Sequence, residues 1–178
     1  HKSYQIRPYL QRDKKRWLTY HDKNTAKLWG MLPLAIGMPV ALVDHVDRNP
    51  QRQLLRGKVG TIVSWVEDEE ETSPYDSTMH ERVLRKPALV IMVDFHTDKW
   101  RIPGLKPGVY PIHATTRTWY LDGYRKKTVL GVQRTQIPLA PAFACTAHAA
   151  QGTSLHASIA DLQVGRGVNP VSAYVAIT

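Results

Sequence analysis

Between residues 32 and 136 the apolar residues come in short runs that proline and glycine keep interrupting, and this punctuation constrains the fold more than any other feature. Leu34, Ile36, Val40, Leu42 and Val43 are broken by Pro33, Gly37 and Pro39, and a polar stretch follows from 44 to 53. Val59, Thr61, Ile62, Val63, Trp65 and Val66 form a second run, entered through Arg56, Gly57 and Lys58. Runs of this length and β-branched content, bounded by turn formers, predict short strands. Residues 88–95 predict a third strand, followed by a loop with Pro103, Gly104, Pro107 and Gly108. Two more strand-like stretches, 109–120 and 124–136, flank Asp122 and Gly123, a pair that accepts positive φ and predicts a tight hairpin turn.

The period then changes. Residues 139–151 are rich in alanine, with Phe143, Ala147 and Ala150 on an i, i+4, i+7 stripe, which predicts a helix ended by Gly152. Residues 158–162 predict a buried strand, and Pro170 opens a last helix through Tyr174 and Ile177. Several strands, then helix, strand and helix, make the expected class α+β.

Charge narrows the function. Lys and Arg number 24 against 15 Asp and Glu, a formal charge of +9, which favours polyanions because each cation set against a phosphate releases condensed counterions. The first 30 residues hold Lys2, Arg7, Arg12, Lys14, Lys15, Arg16, Lys23 and Lys27 among Tyr4, Tyr9, Trp17, Tyr20 and Trp29. That mixture suits phosphate contact with base stacking, and equally a helix docked by its aromatic face, which is the preferred reading. The expected hairpin tip, with Arg117, Trp119, Arg125, Lys126 and Lys127, has the basic and aromatic character that suits grip on a nucleic-acid strand, and equally a plain solvated hairpin. Residues 67–71 are an unbroken acidic run, expected as a solvated loop that guards a sheet edge.

Several classes are excluded. The single cysteine, Cys145, allows no internal disulfide and no cysteine-based zinc cage. No apolar run approaches the roughly 20 residues of a membrane-spanning helix, and the expected setting is intracellular: nucleus or mitochondrion in a eukaryote, cytoplasm in a bacterium or virus. The patterns GxxxxGK[ST], HExxH and GxSxG do not occur, and His45, His96 and His113 are read as strand or loop residues, so no metal site is expected. The chain starts at His1, which suggests a piece of a longer protein.

One constellation stands out: Thr146, His148, Gln151, Gly152 and Ser154, with His148 and Gln151 on one face near the end of the predicted helix, a set that suits a phosphate contact but more often serves packing and capping. Residues 136–144 leading into it, and residues 173–178 after it, resemble the C-terminal motor lobe of superfamily 1 helicases of the petite-integration-frequency and RecD type. Leu32, Pro33 and Leu34 with Gly37, Met38, Pro39 and Val40, then Arg56 and Gly57 with residues 59–63, are similar to the segment by which that family enters its Src-homology-3-like barrel.

The resemblance, over residues 32–178, implies a partial RecA-like α/β lobe interrupted by a small SH3-like β-barrel. Residues 1–39 would form the basic segment and the first part of the lobe, 40–135 the barrel, and 136–178 the rest of the lobe. It implies a fragment of an ATP-dependent 5′-to-3′ DNA helicase that grips single-stranded DNA and couples it to the nucleotide site. Thr146 and His148 would approach a DNA phosphate, and Gln151, Gly152 and Ser154 would lie near the nucleotide. Many relatives have a basic residue after the histidine where this chain has Ala149. ATP and Mg2+ would belong to the parent protein, whose first RecA-like lobe is a further expected partner, with neither bound by this chain alone and no catalytic set complete within it. The alternative is a stand-alone β-barrel that docks nucleic acid or protein without motor activity.

Overall fold

The structure, a computed structural model, describes residues 16–121 and 130–144. Two compact units divide the chain at Ala142 and Phe143, and nearly all the described residues belong to the first, His1–Ala142. That unit is mostly β-sheet. Its helical content among the described residues is confined to residues 16–18 and a 3-10 turn at Asp22–Asn24.

Four strands follow one another as an antiparallel meander: β1 (Pro39–Leu42), β2 (Val59–Val66), β3 (Val90–Asp94) and β4 (Val109–His113). A two-stranded ribbon of β5 (Thr115–Leu121) and β6 (Leu130–Gln136) comes next, and β7 (Leu139–Pro141) then returns to pair with β1. The larger sheet therefore has the order β4-β3-β2-β1-β7. Its prolines sit where a missing N–H is tolerated, Pro39 at the start of β1, Pro111 in edge strand β4 and Pro141 in edge strand β7.

Alternation builds the core. Val40 and Leu42 of β1, Ile62 of β2, Ile91 and Val93 of β3, Ile112 of β4 and Leu139 of β7 are buried together, joined by Leu54, Phe95, Trp100 and Ile137. Burying each such aliphatic side chain contributes about 1.5 to 3 kcal/mol before the entropy of ordering it. Pairing between β2 and β3 slips between Ile62 and Ser64, so Val63 is an extra residue that adds local twist. Gly60 lies opposite Val40, and a Cβ there would come within 2.6 Å of Val93 Cγ1 and 2.7 Å of the Asp94 carbonyl oxygen.

Two sequence expectations are corrected. Residues 139–141, expected as the start of a helix, are strand β7: Val43 N–H donates to the Pro138 carbonyl at 3.0 Å and Ala142 N–H to the Pro39 carbonyl at 2.9 Å. The open edge of β1 supplies backbone partners that the local alanine content cannot foretell. The ribbon register pairs Leu121 with Leu130, so eight residues connect β5 and β6 where a two-residue turn at Asp122 and Gly123 would have paired Leu121 with Tyr124.

Candidate nucleic-acid interface

Residues 17–28 are docked on the ribbon through Trp17, Tyr20 and Leu28. Trp17 meets Trp119 edge to face with ring centroids 6.4 Å apart, and Tyr20 lies 5.7 Å from the same ring. Arg134 of β6 is only 8% exposed; it stands over the Trp119 ring at 5.7 Å and donates to the carbonyls of Leu28, at 2.8 Å, and Trp17. Burial pushes the Arg134 pKa down from the usual guanidinium range, and the two carbonyls with the indole face compensate it in place of a carboxylate. The docked reading of this segment therefore holds for Trp17 and Tyr20.

Trp119, expected among the DNA-contacting residues, is buried by the same geometry. It is 5% exposed and covered by Trp17, Tyr20 and Arg134, so its faces are occupied by protein rather than open to a base. Strand alternation sends Trp119 inward and leaves Tyr120 outward at 59% exposure.

Within the docked segment the chain makes a tight excursion. Thr25 is fully buried and donates through Oγ1 to the Leu28 carbonyl at 2.9 Å, while Lys27 N–H donates to the Asp22 carbonyl at 2.8 Å. Ala26 and Lys27 take φ angles of 53° and 67°, a left-handed pair in which neither residue is glycine. Such conformations cost free energy and persist where the surroundings over-determine them. Here the turn carries Lys27 to the wall of a groove.

That groove gathers charged side chains from separate parts of the chain. Lys23, Ala26, Lys27, Val43, Asp44, His45 and Arg56, with Arg117 of β5, line it around a volume of about 340 Å³. A smaller volume of about 220 Å³ continues it past Asp22, Leu42 and Gly57, with Lys27, Val43 and Arg56 shared. Among the described residues, four permanent cations thus face one cavity, opposed in its larger part by the carboxylate of Asp44, which is ion-paired with Arg117.

The loop that carries Asp44, His45 and Arg56 is fastened from within. Asp47 accepts from Asn49 N–H at 2.8 Å, from Arg52 Nε at 2.5 Å and from the Tyr110 hydroxyl at 3.3 Å. The Asn49 amide and then Arg52 hold the Asp47 carboxyl below its ordinary pKa, against the opposing effect of burial. His45 Nδ1 accepts from Arg56 N–H at 3.2 Å, joining the two ends of the loop at the groove.

The acidic run does more than stay solvated. Glu67 accepts from Trp65 Nε1 and from Arg82, and Lys86 Nζ reaches Asp68 at 2.9 Å and Glu70 at 3.1 Å. Glu71 accepts the amides of Ser73 at 2.9 Å, Arg85 at 3.0 Å and Lys86 at 3.3 Å. Ser73, through its side chain and then its amide, and the Lys86 and Arg85 amides draw the Glu71 pKa down to about 2. Residues 67–71 therefore staple the β2–β3 connection to itself.

Of the expected site residues, Arg117 lies at the groove and Trp119 in the core of the docked ribbon. Arg125, Lys126, Lys127, Thr146, His148, Gln151, Gly152 and Ser154 lie outside the described residues. The sequence reading missed the convergence of Lys23, Lys27 and Arg56 on one groove. The basic N-terminal stretch and the Arg56-Gly57-Lys58 turn were both visible, but nothing local says that they meet. No group of three or more His, Cys, Asp or Glu is assembled to hold a metal ion among the described residues, and no described helix is long and apolar enough to cross a membrane.

No protein-family model matches the chain, and no curated protein matches it. Among solved structures it is similar to Pif1 helicase from Candida albicans, with a TM-score of 0.51 and 20% sequence identity over 93% of this chain and 33% of that one. Unliganded Pif1 from a Bacteroides species matches over 82% of this chain and 27% of that one, at 17% identity and a TM-score of 0.36. The chain spans about a third of the length of the Candida protein and shares the fold of that part. The likeness in fold runs to the same helicase type that the sequence blocks resemble.

Proposed function

We propose that the chain is the strand-gripping part of an ATP-dependent 5′-to-3′ DNA helicase, with its groove seated on the phosphate backbone of single-stranded DNA. The observation that carries this reading is the convergence of Lys23, Lys27, Arg56 and Arg117 on one cavity, in a chain whose fold is that of part of a solved helicase. In this reading the sheet of β1 to β4 with β7 belongs to an inserted SH3-like barrel, and residues 143–178 belong to a RecA-like lobe.

Sequence-independent grip is what such a groove performs. Lysine and arginine side chains against successive phosphates supply affinity by releasing counterions, a term that does not depend on base sequence. ATP and Mg2+ belong to the parent protein, where they would supply the phosphoryl-transfer energy. This chain lacks a P-loop, so Gln151, Gly152 and Ser154 would contact a nucleotide held mainly by the other lobe, while Thr146 and His148 meet DNA. The chain alone turns over no ATP.

The test is a polarisation titration of a fluorescein-labelled oligothymidylate with the chain at several salt concentrations. Lys27→Ala and Arg56→Ala should each weaken binding and lower the slope of log affinity against log salt by about 0.7 for each phosphate contact removed. Affinity and slope equal to those of the unsubstituted chain in both variants would remove the groove from the DNA path.

A further inference from the structure

We propose that Asp44 is a built-in competitor for the groove's anion: its carboxylate holds Arg117 in the place of a nucleic-acid phosphate, and strand entry exchanges one anion for the other. This rests on the groove being the DNA path.

Three observations carry it. Among the described residues, Asp44 is the only carboxylate lining the larger cavity, beside Lys23, Lys27, Arg56 and Arg117. Its partner Arg117 comes from β5, a strand of the separate ribbon, so the ion pair spans the groove from the loop after β1 to the ribbon. Both side chains remain partly open to solvent, Arg117 at 41% and Asp44 at 36%, so water can reach each group as the other leaves.

The chemistry of the exchange balances without any further group. Arg117 gives up a carboxylate and gains a phosphodiester oxygen, one singly charged anion for another, and its planar donor pair suits either. An exposed pair of this kind is weakly held, whereas a strand brings the added gain of counterion release along its length. The freed carboxylate then faces the phosphates with Lys23, Lys27 and Arg56 nearby. Asp44 consequently opposes binding, although it is the strongest partner that Arg117 has among the described residues. Small anions that cannot match the strand's multivalent gain are left to compete with Asp44 for Arg117, and the groove favours a continuous backbone over single phosphates.

Asp44 also accepts from its neighbour's amide, His45 N–H, at 2.9 Å through Oδ1, an acceptor that asparagine keeps. Asp44→Asn therefore removes the charge and leaves the loop its hydrogen bond. In the oligothymidylate titration, Asp44→Asn should bind about three- to tenfold more tightly at moderate salt, the effect of one like charge a few ångströms from a phosphate. Arg117→Ala should bind more weakly. These opposite signs from the two halves of one ion pair are what a merely structural bridge would not give. Inorganic phosphate added alone should shift the Arg117 guanidinium resonance of Asp44→Asn at lower concentration than that of the unsubstituted chain, because no carboxylate competes for it.

Equal or weaker binding by Asp44→Asn, with Lys27→Ala still weakening it, would overturn the exchange and leave the groove as the DNA path. No response to Lys27→Ala or Arg56→Ala would overturn the groove itself. A measurement on the unsubstituted chain decides the case even where Asp44→Asn fails to fold. On adding oligothymidylate, the Asp44 carboxyl carbon and the Arg117 guanidinium nitrogen resonances should move together with the same midpoint. If both stay fixed while the Lys27 resonance moves, the pair does not open and the exchange is wrong.

Discussion

Arg134 in β6 donates through Nη1 to the carbonyl oxygen of Leu28 at 2.8 Å, tying the ribbon to a residue 106 positions earlier in the chain. Its second nitrogen serves the Trp17 carbonyl and its plane covers Trp119. One side chain thus satisfies two carbonyls and seals an indole.

Arg134→Ala should cost about 2 to 4 kcal/mol, since two carbonyls lose their donor and the indole loses its cover. Arg134→Lys should recover only part of this, because an ammonium lacks the planar fork that spans both acceptors. Urea unfolding followed by tryptophan fluorescence checks both. A loss under about 0.5 kcal/mol for Arg134→Ala would mean that the N-terminal segment docks without it.

Trp119 separates packing from DNA contact. Trp119→Ala should cost about 3 to 5 kcal/mol in the same unfolding assay. Trp119→Phe, which keeps an aromatic body, should fold and bind oligothymidylate with unchanged affinity. A folded Trp119→Phe that binds several-fold more weakly would show that the ring leaves its pocket to stack on a base.

Gly60 tests the close approach of β2 and β3. Gly60→Ala places a methyl group against Val93 Cγ1, the Asp94 carbonyl oxygen and Phe95 Cδ1, at 2.6, 2.7 and 3.0 Å. Two of those atoms belong to fully or nearly buried side chains and one to backbone, so the expected loss is about 1 to 3 kcal/mol, seen as a lower Tm. An unchanged Tm would mean that the two strands separate there without penalty.

The Glu71 staple has a definite acid dependence. Its folded pKa, about 2, is below the ordinary 4.5, so the folded loop binds its proton less readily than the unfolded chain does. The stabilisation is complete above about 4.5 and is lost as pH falls from there towards about 2. Protection of the Ser73, Arg85 and Lys86 amides from hydrogen exchange should fall through that window, and Glu71→Gln should flatten the fall. Identical acid profiles for the two proteins would assign the dependence to Glu67 and Asp68, whose pKa values are also lowered, by Trp65 and Lys86 respectively in the first place.

Strands such as β2 were readable as residues 59–66 because their information is local: a run of β-branched residues, a turn former before it and polar residues after it. The basic character was equally plain, since charge is a property of composition. Three decisions belonged to the tertiary structure. Residues 139–141 became strand β7 because the edge of β1, nearly a hundred residues away, offered unpaired backbone groups, and backbone pairing outweighs the few tenths of a kcal/mol in local propensity. Trp119 turned inward because Trp17, Tyr20 and Arg134 could bury it, whereas a list of basic and aromatic residues has no inside or outside. The groove exists because a left-handed turn at Ala26 and Lys27, a loop fastened by Asp47 and a strand carrying Arg117 bring charges from three parts of the chain to one cavity. Charge count follows from the amino acids alone, but charge convergence depends on which distant backbones the core draws together.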